Sequence, residues 1–382
     1  MKKVRNLCIA GLVIALVGIL TIGCATAAAE TTAAAETTAA AETTAAAETT
    51  AAAETTAATG TTAATGKKLV IPYVFQHANL IGFAPLKIGA QDAAKVYGVD
   101  FTWNGPDDFD IMKVIGIIED LHVKGIDGLV VQAADPSVLR PIVDQLRAKG
   151  IPVINTNNAT EYPGYDGFVG LDPTDCGRVF AEQIINIMAG KGAWAESVGF
   201  KGKDGKPSGE IAYFIDAPGA LNVELRVKGA RDVLSQYPEL KDVGKYDVTT
   251  KGMAAAMEVI GNVLTAHPNI NVLVPIDNKS GSAAAMVLKE RNLVGKVAIV
   301  TGNLEPGLLQ LILEGVVALT LNQDFYSQGY IPLQEICEKI LNGKEIPMVN
   351  LVKVEVVDLA NVTAVLARES VMLDKDTMLE SK

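Results

Sequence analysis

Three histidines and four cysteines are the residues of this 382-residue chain with the widest chemical range, and their spacing gives them little to do together. No His/Cys group stands at zinc-ligand intervals. His122 falls on an amphipathic helical stretch and His267 in a helix-ending Ala-His-Pro, both structural positions, whereas His77 follows the first strand and is a candidate for a cleft residue. No Gly-x-Ser-x-Gly elbow offers a nucleophile, no Gly-x-Gly-x-x-Gly turn follows a strand, and no Gly-Lys-Ser/Thr loop could cradle a phosphate. Nothing assembles a nucleophile, a base and a group to orient it. A carboxylate pair needs no motif, and Asp172 with Glu224 is the pair that an exported hydrolase would use. What is present favours binding over catalysis, with no metal and no cofactor.

The elements that would position a site begin after two segments of another kind. Residues 1–24 carry three basic residues ahead of an apolar run from Leu7 to Gly23, the pattern of an export signal. Leu20-Thr21-Ile22-Gly23-Cys24 resembles a bacterial lipobox, in which the cysteine becomes the lipidated N-terminus. Residues 25–66 form a tether built on the unit Ala-Ala-Ala-Glu-Thr-Thr. A period of six matches no helical apolar face, and the segment has nothing to bury. As coil, its repeats would span roughly 35 Å. Of the net charge of −11, the first segment holds +3, the tether −5 and the body −9. An acidic body without a basic stripe is repelled by phosphate backbones, which excludes nucleic acid as a partner. Only Cys176 and Cys337 lie in the body, and they read as buried thiols rather than a bridge.

From Lys67 onward, short apolar runs alternate with helical stretches. Strands are expected at 69–75, 99–103, 128–132 and 152–156, with helices at 83–97, 111–124 and 136–149 between and after them. A second series opens on a helix at 175–188. It continues with strands at 211–215, 246–249, 272–276, 297–300 and 317–322, alternating with helices at 221–235, 253–266, 280–291, 308–314 and 326–341. Apolar runs between helices indicate parallel sheets covered on both faces. The break at 162–172 and the polar insertion at 191–208 favour two doubly wound lobes over one closed (β/α)8 barrel.

Several pieces then stand in a familiar order. They are Gly98-Val99-Asp100-Phe101-Thr102-Trp103-Asn104-Gly105-Pro106, Gly125-Ile126-Asp127-Gly128-Leu129-Val130-Val131, Lys149-Gly150-Ile151-Pro152-Val153-Ile154 and Leu264-Thr265-Ala266-His267-Pro268. Together they resemble type I periplasmic binding proteins of sugar ABC importers, the ribose-binding and autoinducer-2-binding group, from about Lys67 to Glu369. The resemblance implies an α/β fold of two Rossmann-like lobes joined by three crossover segments, with ligand in the cleft. It implies an N-terminal lobe of 67–172 plus 324–353 and a C-terminal lobe of 173–323 plus 354–382.

Carried over residue by residue, the resemblance also implies a site. Asn79 and Phe83 fall where the family places an amide and a stacking ring. Asn157 and Asn158 take the place of an Asp-Arg pair, and Asp172 stands at the first crossover. In the second lobe Asn222 and Glu224 precede Arg226 and Gly229, which fit the family's Arg-x-x-Gly helix start. Glu224 stands where ribose binders carry Arg, Asp277-Asn278 replace the usual Asn-Asp, Asn303 stands for an Asp, and Gln323 matches the Gln of the second crossover. Sugar recognition needs planar amides and carboxylates for paired hydrogen bonds and an aromatic face for the C–H side of the ring. Each Asn or Asp here has a second reading as a helix N-cap, since strand-to-helix turns favour these residues. Phe83 has one as a core residue.

The function implied is that of an extracytoplasmic solute receptor, a monomer anchored to the outer face of the cell membrane, or held in the periplasm, through its N-terminal lipid alone. It would take a sugar or polyol and deliver it to an ABC permease with its ATPase. The alternative is a sensory receptor presenting a sugar, nucleoside or autoinducer-like ligand to a membrane chemoreceptor or kinase. Repressors of the same fold need an N-terminal DNA-binding segment, where this chain has its signal and tether.

Overall fold

A computed structural model of the protein describes residues 68–370, apart from 80, 109, 134, 159–163, 249–251 and 277. The signal and tether, Cys24, Asp277 and residues 371–382 lie outside the described residues.

The first sheet takes β1 (Tyr73–Phe75), β2 (Trp103–Asn104), β3 (Leu129–Gln132), β4 (Val153–Asn157) and β5 (Gly167–Gly170). The second takes β6 (Gly209–Ile215), β7 (Leu240–Asp247), β8 (Ile270–Pro275), β9 (Ala298–Gly302) and β10 (Leu319–Asn322). The last strands, β11 (Val349–Leu351) and β12 (Glu355–Asp358), go one to each sheet. The orders are β11-β5-β4-β3-β1-β2 and β12-β10-β9-β8-β6-β7, so the lobes repeat one topology. Every pairing is parallel except that of β12 with β10.

Alternate residues of the strands feed two cores per lobe. In the first sheet Tyr73, Phe75, Val130 and Ile154 face α1 (Ala84–Tyr97) and a helix at Phe325–Asn342 that returns from the second lobe, while Val74, Leu129, Val131 and Val153 face α2 (Ile111–Lys124) and α3 (Arg140–Ala148). In the second sheet Tyr213, Ile215, Val272 and Val274 meet α4 (Pro173–Met188), the short α5 (Ala193–Val198) and α6 (Leu221–Leu234). Ala212, Phe214, Leu273 and Ile299 meet α7 (Met253–Ala266), α8 (Asn278–Glu290) and α9 (Pro306–Leu313). Helix α10 (Phe325–Asn342) returns to the first lobe, packing Leu333 and Ile336 into its core. With both faces covered, the strands are the near-continuous apolar runs that such sheets require.

Three departures from the sequence reading have local causes. The break expected at 162–172 contains β5, a strand short in apolar residues because Gly167 and Gly170 sit against Ile346 and Phe168. The strand expected at 246–249 runs instead from Leu240 to Asp247, an edge strand whose exposed positions, Lys241 and Asp242, mask its period. The polar insertion at 191–208 holds α5, whose Trp194 and Ala195 are buried. Cys176 and Cys337 are free buried thiols, and burial pushes that of Cys337 up to about 12.

Each lobe brings two helices together through reciprocal glycines. A Cβ on Gly89 of α1 would run into the Tyr326 carbonyl oxygen of α10, and one on Gly329 of α10 into that of Leu86 on α1. In the second lobe Gly177 of α4 faces the Arg226 carbonyl of α6, and Gly229 of α6 that of Thr174 on α4. Backbone blocks the space in all four cases, so no side chain can swing aside. Gly329→Ala should therefore lower stability by about 1–3 kcal/mol through overpacking. Gly116→Ala, in a helical position with open space around it, should instead gain about 0.5–1 kcal/mol. Urea unfolding of the two variants checks this, and equal midpoints would contradict it.

Candidate functional site

The chain passes between the lobes three times, each time at the carboxyl end of a parallel strand. Leu171 and Asp172 alone link β5 to α4, Gln323 and Asp324 link β10 to α10, and 352–354 link β11 to β12. The carboxyl ends of both sheets are thereby tied to one seam, and in open α/β sheets ligands bind beyond those ends. The site must be built from residues that follow strands in both lobes.

The fourth strand of each lobe closes in the same way. Asn157 ends β4 and Asn303 follows β9, and both have φ 69°, a left-handed conformation in which asparagine is among the few tolerated side chains. Asn157 donates its amide to Gln328 Oε1 at 3.0 Å, while Gln132, at the end of β3, approaches Asn157 Oδ1 at 3.4 Å. Asn303 accepts at Oδ1 from the Gln323 amide, its backbone N–H bonds the Leu321 carbonyl at 2.8 Å, and its carbonyl accepts from the Thr320 hydroxyl at 2.6 Å. Gln323 is buried and accepts at Oε1 from Arg226 Nη2 at 2.7 Å. Both asparagines remain half-buried, so each is fixed by its neighbours without being closed off from solvent.

The remaining expected residues divide between structural duties and open positions. Asp172 caps α4, accepting from the N–H groups of Thr174 and Asp175. Asn158 donates to the Ala133 carbonyl, and its own carbonyl accepts from Asn155, so it ties the turn after β4 to the segment that follows β3. Asn79 is exposed and donates to Asp107 in the loop after β2. Glu224, in the first turn of α6, is paired with Lys245 of β7 at 2.6 Å and accepts from the Gly219 N–H. The Lys245 bond, helped by that N–H, holds the Glu224 carboxyl below its usual range. Asn222 is half-buried on the same turn, and Asp277 lies outside the described residues.

Phe83 belongs to an aromatic wall. Its ring meets Phe75 and Phe325 edge-on at centroid distances of 5.5 and 5.7 Å. Phe75 in turn stacks on Trp103 at 4.3 Å, whose indole N–H is held by the Ala78 carbonyl. Sequence reasoning did not assign Gln132, Arg226, Gln328, Trp103 or Phe325 to the site. Gln132 does end a strand, β3, which was the available signal, whereas Trp103 opens β2. Arg226 and Gln328 lie within helices, where spacing says nothing about a partner 97 or 171 positions away.

The described site is therefore rich in neutral amides that both donate and accept, beside apolar rings. That chemistry suits an uncharged molecule with many hydroxyls and an apolar face. A buried guanidinium, that of Arg226, touches the amide series without a carboxylate partner among the described residues.

A family model described as periplasmic binding protein domain matches residues 71–345. The chain is 26% identical over 269 residues to a xylose/arabinose-binding protein of Sulfolobus acidocaldarius, covering 65% of this chain and 61% of that one. It is 27% identical over 222 residues to a xylitol-binding protein of Mycolicibacterium smegmatis, covering 58% of each. The chain thus spans about three fifths of the length of these relatives. A solved structure of a periplasmic ribose ABC transporter from Conexibacter woesei superposes with a TM-score of 0.69 at 23% identity, over 80% of this chain and 96% of that one.

Proposed function

The chain belongs to the periplasmic binding protein domain family, and we propose that it is the solute-binding component of an ABC importer, taking a sugar or sugar alcohol between its lobes. The observation that carries this reading is the matched pair of left-handed asparagines, Asn157 and Asn303, one at the end of each lobe's fourth strand. A ligand touching both would replace water on amides already oriented by Gln328 and Gln323. The Phe83 and Trp103 side of the first lobe supplies rings for the C–H face of a pyranose or an extended polyol. Relatives named for xylose, arabinose and xylitol share this absence of charge in the ligand.

Binding then acts through the crossovers. A guest that bonds both lobes stabilises the closed arrangement by its differential affinity for it, and a permease distinguishes closed from open. No bond of the guest is made or broken. The Leu20–Cys24 segment supports export and lipid anchoring, with the Ala/Glu/Thr tether as a spacer between membrane and body.

Thermal unfolding of the full chain with D-xylose, L-arabinose, D-ribose and xylitol tests the reading. At 100 times its dissociation constant a true ligand adds about 2.7 kcal/mol of stability. Asn303→Ala should remove that gain, and its loss of affinity should exceed its loss of unliganded stability. Absence of a shift with every one of these compounds, or conversion of one into product, would contradict it. Cys24→Ser should free the protein from membranes in a fractionation, whereas continued retention would point to an uncleaved apolar anchor.

A further inference from the structure

Gln328 lies in the first turn of α10, fully buried, and all its polar groups are engaged. Its Oε1 accepts from Asn157 Nδ2 at 3.0 Å, and its Nε2 donates to the Gln323 carbonyl at 2.6 Å. Its backbone N–H bonds the Asp324 carbonyl, and its backbone carbonyl accepts from the Thr156 hydroxyl at 2.9 Å. That carbonyl is open to Thr156 because the residue four places on is Pro332, which has no N–H to offer. The next carbonyl, that of Gly329, is taken by the Tyr73 hydroxyl, which accepts in turn from the Leu333 N–H. The start of α10 is thus bonded to β1 and β4 by groups that an uninterrupted helix would have used internally.

The same residue reaches the other lobe. Gln323 sits in the second crossover, beside Asp324 at φ 49°, and its side chain joins Asn303 and Arg226. A bonded series therefore runs from Asn157 through the Gln328 side chain to the Gln323 main chain, and through the Gln323 side chain to Asn303. It connects the ends of the two fourth strands without any ligand. Rotation of one lobe against the other must either carry this series along or leave buried amides without partners, which a low-dielectric interior penalises.

We infer that Gln328 is a positioning residue that couples the lobes: it orients Asn157 and fixes the crossover, so that lobe angle and amide geometry change together. The consequence for affinity rests on the sugar-binding reading above; the coupling itself does not. A residue that only filled space at this point would be replaceable by Leu at some expense in stability and none in lobe geometry.

The test uses the full chain with Cys8 and Cys24 replaced by Ser, spin-labelled through Glu119→Cys on α2 and Glu258→Cys on α7, both exposed. The native body thiols are buried. The parent should give one narrow distance population. Gln328→Leu, which removes both side-chain bonds, should broaden or shift it, and Gln328→Glu, which keeps the acceptor for Asn157, should fall between. Calorimetry with D-xylose, D-ribose and xylitol should show about tenfold weaker binding in Gln328→Leu, the expected loss for one buried bond pair. Combining it with Asn157→Ala should cost less than the two single losses added. Unchanged label distances in Gln328→Leu, or in Gln328→Glu where the Leu variant does not fold, overturn the coupling. A parent that binds none of the three compounds overturns the sugar reading instead, while the distances still decide the coupling.

Discussion

A buried amide loses stability for each donor or acceptor left unpaired, and Gln323 and Gln328 find their partners at the seam between two lobes. Gln323 and Gln328 are both buried, five residues apart, and each serves the fourth strand of a different lobe. Each takes at least one partner from a distant part of the chain. Their partners, Asn157 and Asn303, in turn take a left-handed backbone that most side chains avoid. Such conformations persist where the surroundings over-determine them, and here hydrogen bonds from strand, crossover and helix do so.

The two lobes reach this arrangement by parallel means. Each is a sheet of the same strand order, each crosses one pair of helices through reciprocal glycines, and each ends its fourth strand in a left-handed asparagine. The close crossing of α1 with α10 matters for more than packing. It holds the first turn of α10, and hence Gln328, against the sheet that carries Asn157. Similarly, the crossing of α4 with α6 sets Arg226 where its guanidinium meets Gln323. Core packing and site geometry are one construction at these two places.

Much of the fold was legible because its signals are local. The span of α2 follows from its apolar period, and the structure adds Asp110 ahead of it as the cap. The alternation of apolar runs with helices led to two parallel, doubly covered sheets. Strands whose composition departs from that rule were harder: β5 is half glycine, and β7 shows charged side chains to solvent at the sheet edge. At the site, the family resemblance picked out Asn157, Asn303 and Gln323, each of which ends or follows a strand. It also picked out Asp172 and Asn158, which the fold uses for a cap and a turn, because the same residue types serve both ends. Gln328 left no local trace, and Arg226 showed only as part of an Arg-x-x-Gly helix start, since their partners lie far along the chain.

The most direct test of this account is a crystal structure of the chain grown with whichever of D-xylose, L-arabinose, D-ribose or xylitol it binds. The account places the guest beyond the carboxyl ends of both sheets, with Asn157 and Asn303 each within hydrogen-bond distance of a hydroxyl and the Asn157–Gln328–Gln323 series intact. A guest bound to one lobe only, or away from that seam, would contradict it.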